Sequence, residues 1–83
     1  MKIKKNIAVS ETGFVFDPVT GDSFSLNNTG KEIFELLKSN KTAPEITQHI
    51  TNRYNIDEPT FERYFYDFLE VLKFYHLLED VEE

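Results

Sequence analysis

Two histidines, His49 and His76, are the only imidazoles in the chain, and it has no cysteine. Without thiols there can be no disulfide, thiolate metal cage, dithiol redox motif or cysteine nucleophile. The histidines lie far apart in sequence, without a carboxylate at zinc-site spacing, and neither has a positional partner for acid–base work. His49 reads as a half-exposed partner of a neighbouring polar group. No serine sits in a nucleophile elbow. Three glycines scattered at turns cannot cradle a phosphate, and neither G-x-x-x-x-G-K-[ST] nor G-x-G-x-x-G occurs. Glu62, Asp67 and Glu70 fall on one helical segment, where a solvated acidic face explains them without catalysis. The expectation is a protein that is no enzyme and holds no cofactor or metal.

What the chain offers instead is aromatic surface. Phe61, Tyr64, Phe65, Tyr66, Phe68, Phe74 and Tyr75 are seven of its twelve aromatic residues. A helix advances roughly 100° per residue, which gathers Phe61, Phe65, Phe68, Leu69 and Leu72 into one stripe about a third of the circumference wide. Tyr64, Val71 and Tyr75 lie along one flank of that stripe, with Asp67 and Phe74 further round. The flank is either the edge of a wide core with tyrosine hydroxyls in water, or a contact surface for another molecule.

The elements that would carry this surface follow from local signals. Ile3, Lys5, Ile7 and Val9 alternate as a first strand. Phe14–Asp17 and Ser23–Leu26 read as two more, joined by the turn Asp17-Pro18-Val19-Thr20-Gly21-Asp22. Thr29 and Glu32 have capping-box spacing, so a helix is expected from there to about Ser39–Asn40, with Ile33, Leu36 and Leu37 inside. Asn40 suits a left-handed cap. Thr42 and Glu45 repeat the box, with Pro44 in the first turn and Ile46, Ile50 and Tyr54 following. A third helix starts at Asp57-Glu58-Pro59 and runs to about Tyr75. His76 then acts as a left-handed terminator that returns Leu77 and Leu78 to the core. The acidic end, residues 79–83, is expected to fray.

Size and charge narrow the partners. Eighty-three residues support one domain spanning 1–83. Residues 1–56 hold seven basic and six acidic side chains, whereas 57–83 hold two and nine. A segment at −7 repels duplex DNA, so nucleic acid is not expected as a partner. No apolar run of signal-peptide length follows Met-Lys-Ile-Lys-Lys and nothing approaches a transmembrane span, so the expected setting is cytoplasmic, with no membrane partner.

Strand–strand–strand–helix–helix–helix is the order of an α+β winged helix-turn-helix domain, a three-stranded antiparallel sheet followed by three helices. Within that fold the chain resembles the PqqD-like proteins, peptide chaperones also called RiPP recognition elements. The resemblance is carried by Leu26-Asn27, Thr29-Gly30, Ile33, Leu36-Leu37, Thr42, Glu45-Ile46, Ile50, Tyr54, Phe65, Phe68-Leu69, Leu72 and Leu77-Leu78. It covers residues 13–78. Tyr64 stands where the family usually has aspartate, on the flank a ligand would touch. Asn40 and His76 stand where it usually has glycine, and both residue types tolerate the left-handed conformation.

The resemblance implies a non-catalytic chaperone that binds the leader of a ribosomally made precursor peptide. It would present that leader to a modifying enzyme of radical-SAM or other type, as in PQQ or related RiPP biosynthesis. The leader would add as a strand to the edge formed by Asp22, Ser23, Phe24, Ser25 and Leu26. Tyr64, Asp67, Val71, Phe74 and Tyr75 would line the helical wall, with Asp67 facing a lysine or arginine. Two other readings compete: a winged-helix DNA-binding or regulatory module, and a dimerisation or scaffold module. The chain is expected to be a monomer or homodimer.

Overall fold

A hydrophobic alternation that carries a lysine cannot run straight through a core, and the N-terminus shows the consequence. The computed structural model describes residues 2–79. Its elements are β1 (Lys2–Ile3), β2 (Ala8–Val9), β3 (Phe14–Phe16), β4 (Ser23–Ser25), α1 (Asn28–Lys38), α2 (Ala43–Tyr54), α3 (Glu58–Phe74) and β5 (Leu78–Glu79). The single first strand expected from Ile3 to Val9 is therefore corrected to two pieces. The chain turns between them, with the Ile7 N–H donating to the Lys4 carbonyl at 3.3 Å. This turn leaves Lys5 in solvent while Ile3 and Ile7 are both buried. A strand of period two would have forced the lysine onto the apolar face.

β2, β3 and β4 form an antiparallel sheet in that order. The β3–β4 turn is held by the Asp17 carboxylate accepting from the Val19 N–H at 3.0 Å. The Gly21 N–H donates to the Asp17 carbonyl at 2.7 Å. Gly21 takes φ +82, which glycine adopts without a Cβ penalty. β1 leaves this sheet and pairs antiparallel with β5, placing Ile3 opposite Leu78 and Lys2 opposite Glu79. Glu79 thus belongs to a strand and not to a frayed tail, while residues 80–83 lie outside the described residues.

Each helix begins on a side-chain cap. The expected Thr29–Glu32 box does not form. Asn27 caps α1 instead, its Oδ1 accepting from the Gly30 N–H at 2.7 Å; asparagine is the stronger N-cap residue. On α2 the expected box is present, with the Thr42 N–H donating to Glu45 Oε1 at 2.8 Å and the Glu45 N–H to Thr42 Oγ1 at 3.3 Å. Asp57 caps α3 through the Thr60 N–H at 3.1 Å. The helix ends are equally specific. Asn40 (φ 64) and His76 (φ 58) are left-handed. Behind them, Lys41 N–H bonds the Leu36 carbonyl at 3.1 Å and Leu77 N–H bonds the Leu72 carbonyl at 2.9 Å. Both are Schellman closures, and the second returns Leu77 to the core.

The helices and the inner sheet face enclose one core. Val15, Phe34, Leu37, Ile46, Ile50, Phe61 and Leu72 are fully or almost fully buried in it. Side chains of this kind each contribute about 1.5–3 kcal/mol on burial, so truncating Phe61 to alanine would cost about 3–5 kcal/mol. α1 and α2 are also tied outside the core. The Glu32 carboxylate, free of a cap, accepts from Tyr54 Oη at 2.6 Å, pairs with His49 Nε2 at 2.8 Å and with Arg53 Nε at 3.2 Å. Burial pulls the Glu32 pKa up, but the hydrogen bonds from Tyr54 and His49 and the Arg53 charge outweigh it and hold the group below its ordinary value.

Candidate functional site: the β4 edge and the α3 wall

Among the described residues, β4 has a strand neighbour on one side only. The Leu26 N–H donates to the Gly13 carbonyl at 2.8 Å and the Asp17 N–H to the Asp22 carbonyl at 2.9 Å. With Val15 opposite Phe24 in the same register, antiparallel alternation makes 13/26, 15/24 and 17/22 the hydrogen-bonded pairs. Phe24 therefore directs its N–H and C=O towards β3, whereas those of Ser23 and Ser25 point away from it, to the open edge. That edge carries no lysine, proline or bulge of the kind that guards exposed strands.

α3 walls the space beside this edge. Phe61, Phe65 and Leu72 are its buried stripe; Phe68 and Leu69, which the helical period assigns to the same stripe, are only half-buried. Tyr64, Val71 and Tyr75 remain 38%, 47% and 39% exposed on the flank. Tyr75 stacks on Phe24 with ring centroids 4.9 Å apart, so strand and helix meet there. Phe74 packs edge-on against Tyr75 at 5.3 Å and is otherwise open to solvent. Towards the other end Tyr64 lies parallel to Phe68, 6.4 Å away, and its hydroxyl sits 3.5 Å from Asn27 Oδ1. β4 consequently runs antiparallel to α3, and the strip between its open edge and the exposed flank of α3 is the candidate groove. From Tyr64 to Tyr75 the helix rises about 16 Å, the length of about five residues of extended strand.

Of the residues singled out from sequence, Phe24 and Tyr75 are in contact, Ser23 and Ser25 turn backbone groups to the β4 edge, and Tyr64 and Val71 lie on the exposed flank of α3. Leu26 is half-buried and packs against the core at the groove's inner end. Asp22 stands at the foot of β4, its carbonyl already bonded to Asp17. Asp67 and Phe74 are exposed, further round α3. Sequence reasoning missed Asn27 and the part played by Phe68. Asn27 both caps α1 and faces Tyr64, and its signal was the Asn27–Gly30 spacing, obscured by Thr29 two residues later. Behind them lies a cavity of about 220 Å³ lined by Asn27, Thr29, Ile56, Thr60, Phe61 and Tyr64.

The remaining surface offers little chemistry. An open concavity of about 910 Å³ lies between α2 and α3, where Thr47, Gln48, Thr51 and Asn52 of α2 face Phe65, Tyr66 and Leu69 of α3. It has no free backbone edge. Among the described residues, no group of three or more His, Cys, Asp or Glu side chains is placed to hold a metal, and no helix is long and apolar enough to cross a membrane.

A winged helix-turn-helix fold whose outer strand lies open beside an aromatic helix wall defines the class. The chain belongs to the PqqD family, since the model described as coenzyme PQQ synthesis protein D matches residues 13–78. Among solved structures it is similar to "TbiB1 in Complex with the TbiA(beta) Leader Peptide". The two chains are 32% identical, each covered over 100% of its length, with a TM-score of 0.89. No curated protein matches the chain.

Proposed function

We propose that this protein is a non-catalytic recognition module for the leader segment of a ribosomally made precursor peptide. The leader adds as a strand to β4 and packs its inward side chains against α3. The observation that carries this reading is the open pair of backbone groups at Ser23 and Ser25, facing a groove walled by Tyr64, Val71 and Tyr75. Main-chain hydrogen bonds supply affinity there, and pockets for alternate side chains supply selectivity. The solved relative TbiB1, similar over its full length and determined with a leader peptide, supports the same role.

A module without catalytic groups must deliver the bound peptide elsewhere. The proposed partner is a separate modifying enzyme, of the radical-SAM type, and the proposed setting is cytoplasmic. Asp67, exposed beside the groove, would pair with a basic residue of the leader. An NMR titration with a leader peptide tests the binding mode: the amides of residues 22–27 and of α3 should shift together. Shifts confined to the α2–α3 concavity would reject the β4 edge as the site.

A further inference from the structure

The outer face of the sheet carries two phenylalanines that the core does not use. Val15 is fully buried between them, while Phe14 and Phe16 are 46% and 40% exposed. On that face Ser25 lies opposite Phe14, and Ser23 and Ala8 lie opposite Phe16. All three neighbours are exposed, small and uncharged. The patch, three strands wide and at most three residues long, is roughly 14 by 10 Å. About 140 Å² is far short of the roughly 800 Å² per partner that stable dimers bury, so a second copy is a poor occupant.

We propose that Phe14 and Phe16 select the peptide, by receiving the outward side chains of the strand added at β4. This rests on the reading of that edge as the peptide site. Pairs 14/25 and 16/23 are the non-hydrogen-bonded pairs of the β3–β4 ladder, in which side chains approach closest. When the guest strand runs antiparallel to β4, a guest residue bonded to Ser23 or Ser25 points to the same outer face as that serine. Its Cβ then lies about 10 Å, two strand spacings, from that of Phe16 or Phe14. A phenylalanine ring spans about half of that gap, a large guest side chain spans the rest, and serine is too short to block them. The guest residue opposite Phe24 points inward, towards Val71 and Tyr75. The bound segment therefore bears three consecutive large apolar or aromatic residues, the outer two for Phe14 and Phe16. A strand read only by α3 would alternate.

The test is selection from a displayed library of random dodecapeptides on the wild type and on a Phe14→Ser, Phe16→Ser variant. The wild type should enrich apolar triplets, and the variant only their central residue. Triplet peptides should lose about threefold to tenfold affinity on the variant, as expected for aromatic contacts. Serine at the two outward peptide positions should cost the wild type the same factor and the variant nothing, a comparison that also serves if the variant folds poorly. Identical selections and equal affinities would overturn the proposal while leaving the β4 site standing. No enriched peptide on the wild type, or no amide shifts at Ser23 and Ser25, would remove both.

Discussion

Ser25→Pro isolates the backbone of the open edge from everything else in the protein. Ser25 directs its N–H away from β3, so a proline there removes an edge donor without breaking a rung of the β3–β4 ladder. Edge positions of this kind are where sheets tolerate proline, and Phe24 before it is already extended, as the residue preceding proline must be. The free protein should therefore keep its unfolding midpoint. In the complex, a carbonyl of the guest strand loses its partner while still desolvated. That penalty is about 1–3 kcal/mol, or roughly a fivefold to 150-fold rise in Kd. Ser25→Ala keeps the N–H and should bind nearly as the wild type does. Phe24→Pro is the opposite control, because it cuts the rung to Val15 and should destabilise the fold itself. Calorimetric titration with a peptide that binds the wild type, paired with thermal unfolding of each variant, separates these cases. A folded Ser25→Pro protein with undiminished affinity would show that the peptide does not pair with β4.

Val71→Asp and Tyr64→Ala alter half-exposed positions on the groove wall, so each should weaken peptide binding about tenfold or more while urea unfolding stays near the wild-type curve. His76→Gly relieves a left-handed non-glycine residue at φ 58 and should raise stability by about 0.5–1 kcal/mol, read from the urea midpoint. Glu32 has its folded-state pKa lowered, so its contribution is present above the unfolded-state value and is lost as pH falls through the folded one. Urea unfolding as a function of pH should therefore show a steeper acid loss for the wild type than for Glu32→Gln; parallel curves would mean that the Tyr54, His49 and Arg53 contacts do not bear on stability.

Local devices with reciprocal partners were the most legible parts of the sequence. The Thr42–Glu45 box and the left-handed turns at Asn40 and His76 depend on residues within a few positions of each other. Where two local devices compete, the reading fails: Asn27 displaced Thr29 as the α1 cap, and Glu32 then turned outward to α2. The N-terminal strand failed for another reason, because a period-two pattern cannot say where the chain will turn to keep Lys5 in water. β5 is invisible locally, since Leu78–Glu79 becomes a strand only by pairing with Lys2–Ile3. At the site, helical periodicity placed Tyr64, Val71 and Tyr75 on one flank. It could not show that Tyr75 closes on Phe24, which depends on how α3 crosses the sheet. Nor could the alternation Phe14-Val15-Phe16 reveal which residue faces inward.

α3 divides its side chains between two surfaces, the core and the exposed flank beside β4. Phe61, Phe65 and Leu72 hold the helix in place, and a change in any of them is felt as lost packing. Tyr64, Val71 and Tyr75 face the groove at intermediate exposure, where substitution alters shape and polarity with little effect on the core. On the strand side the division is sharper still. In the proposed binding mode any guest could bond to the Ser23 and Ser25 backbone, whatever its sequence, so that edge would supply affinity without discrimination. Discrimination would then come from side chains around it: the α3 flank on the inner face, and on the outer face the two exposed phenylalanines of β3.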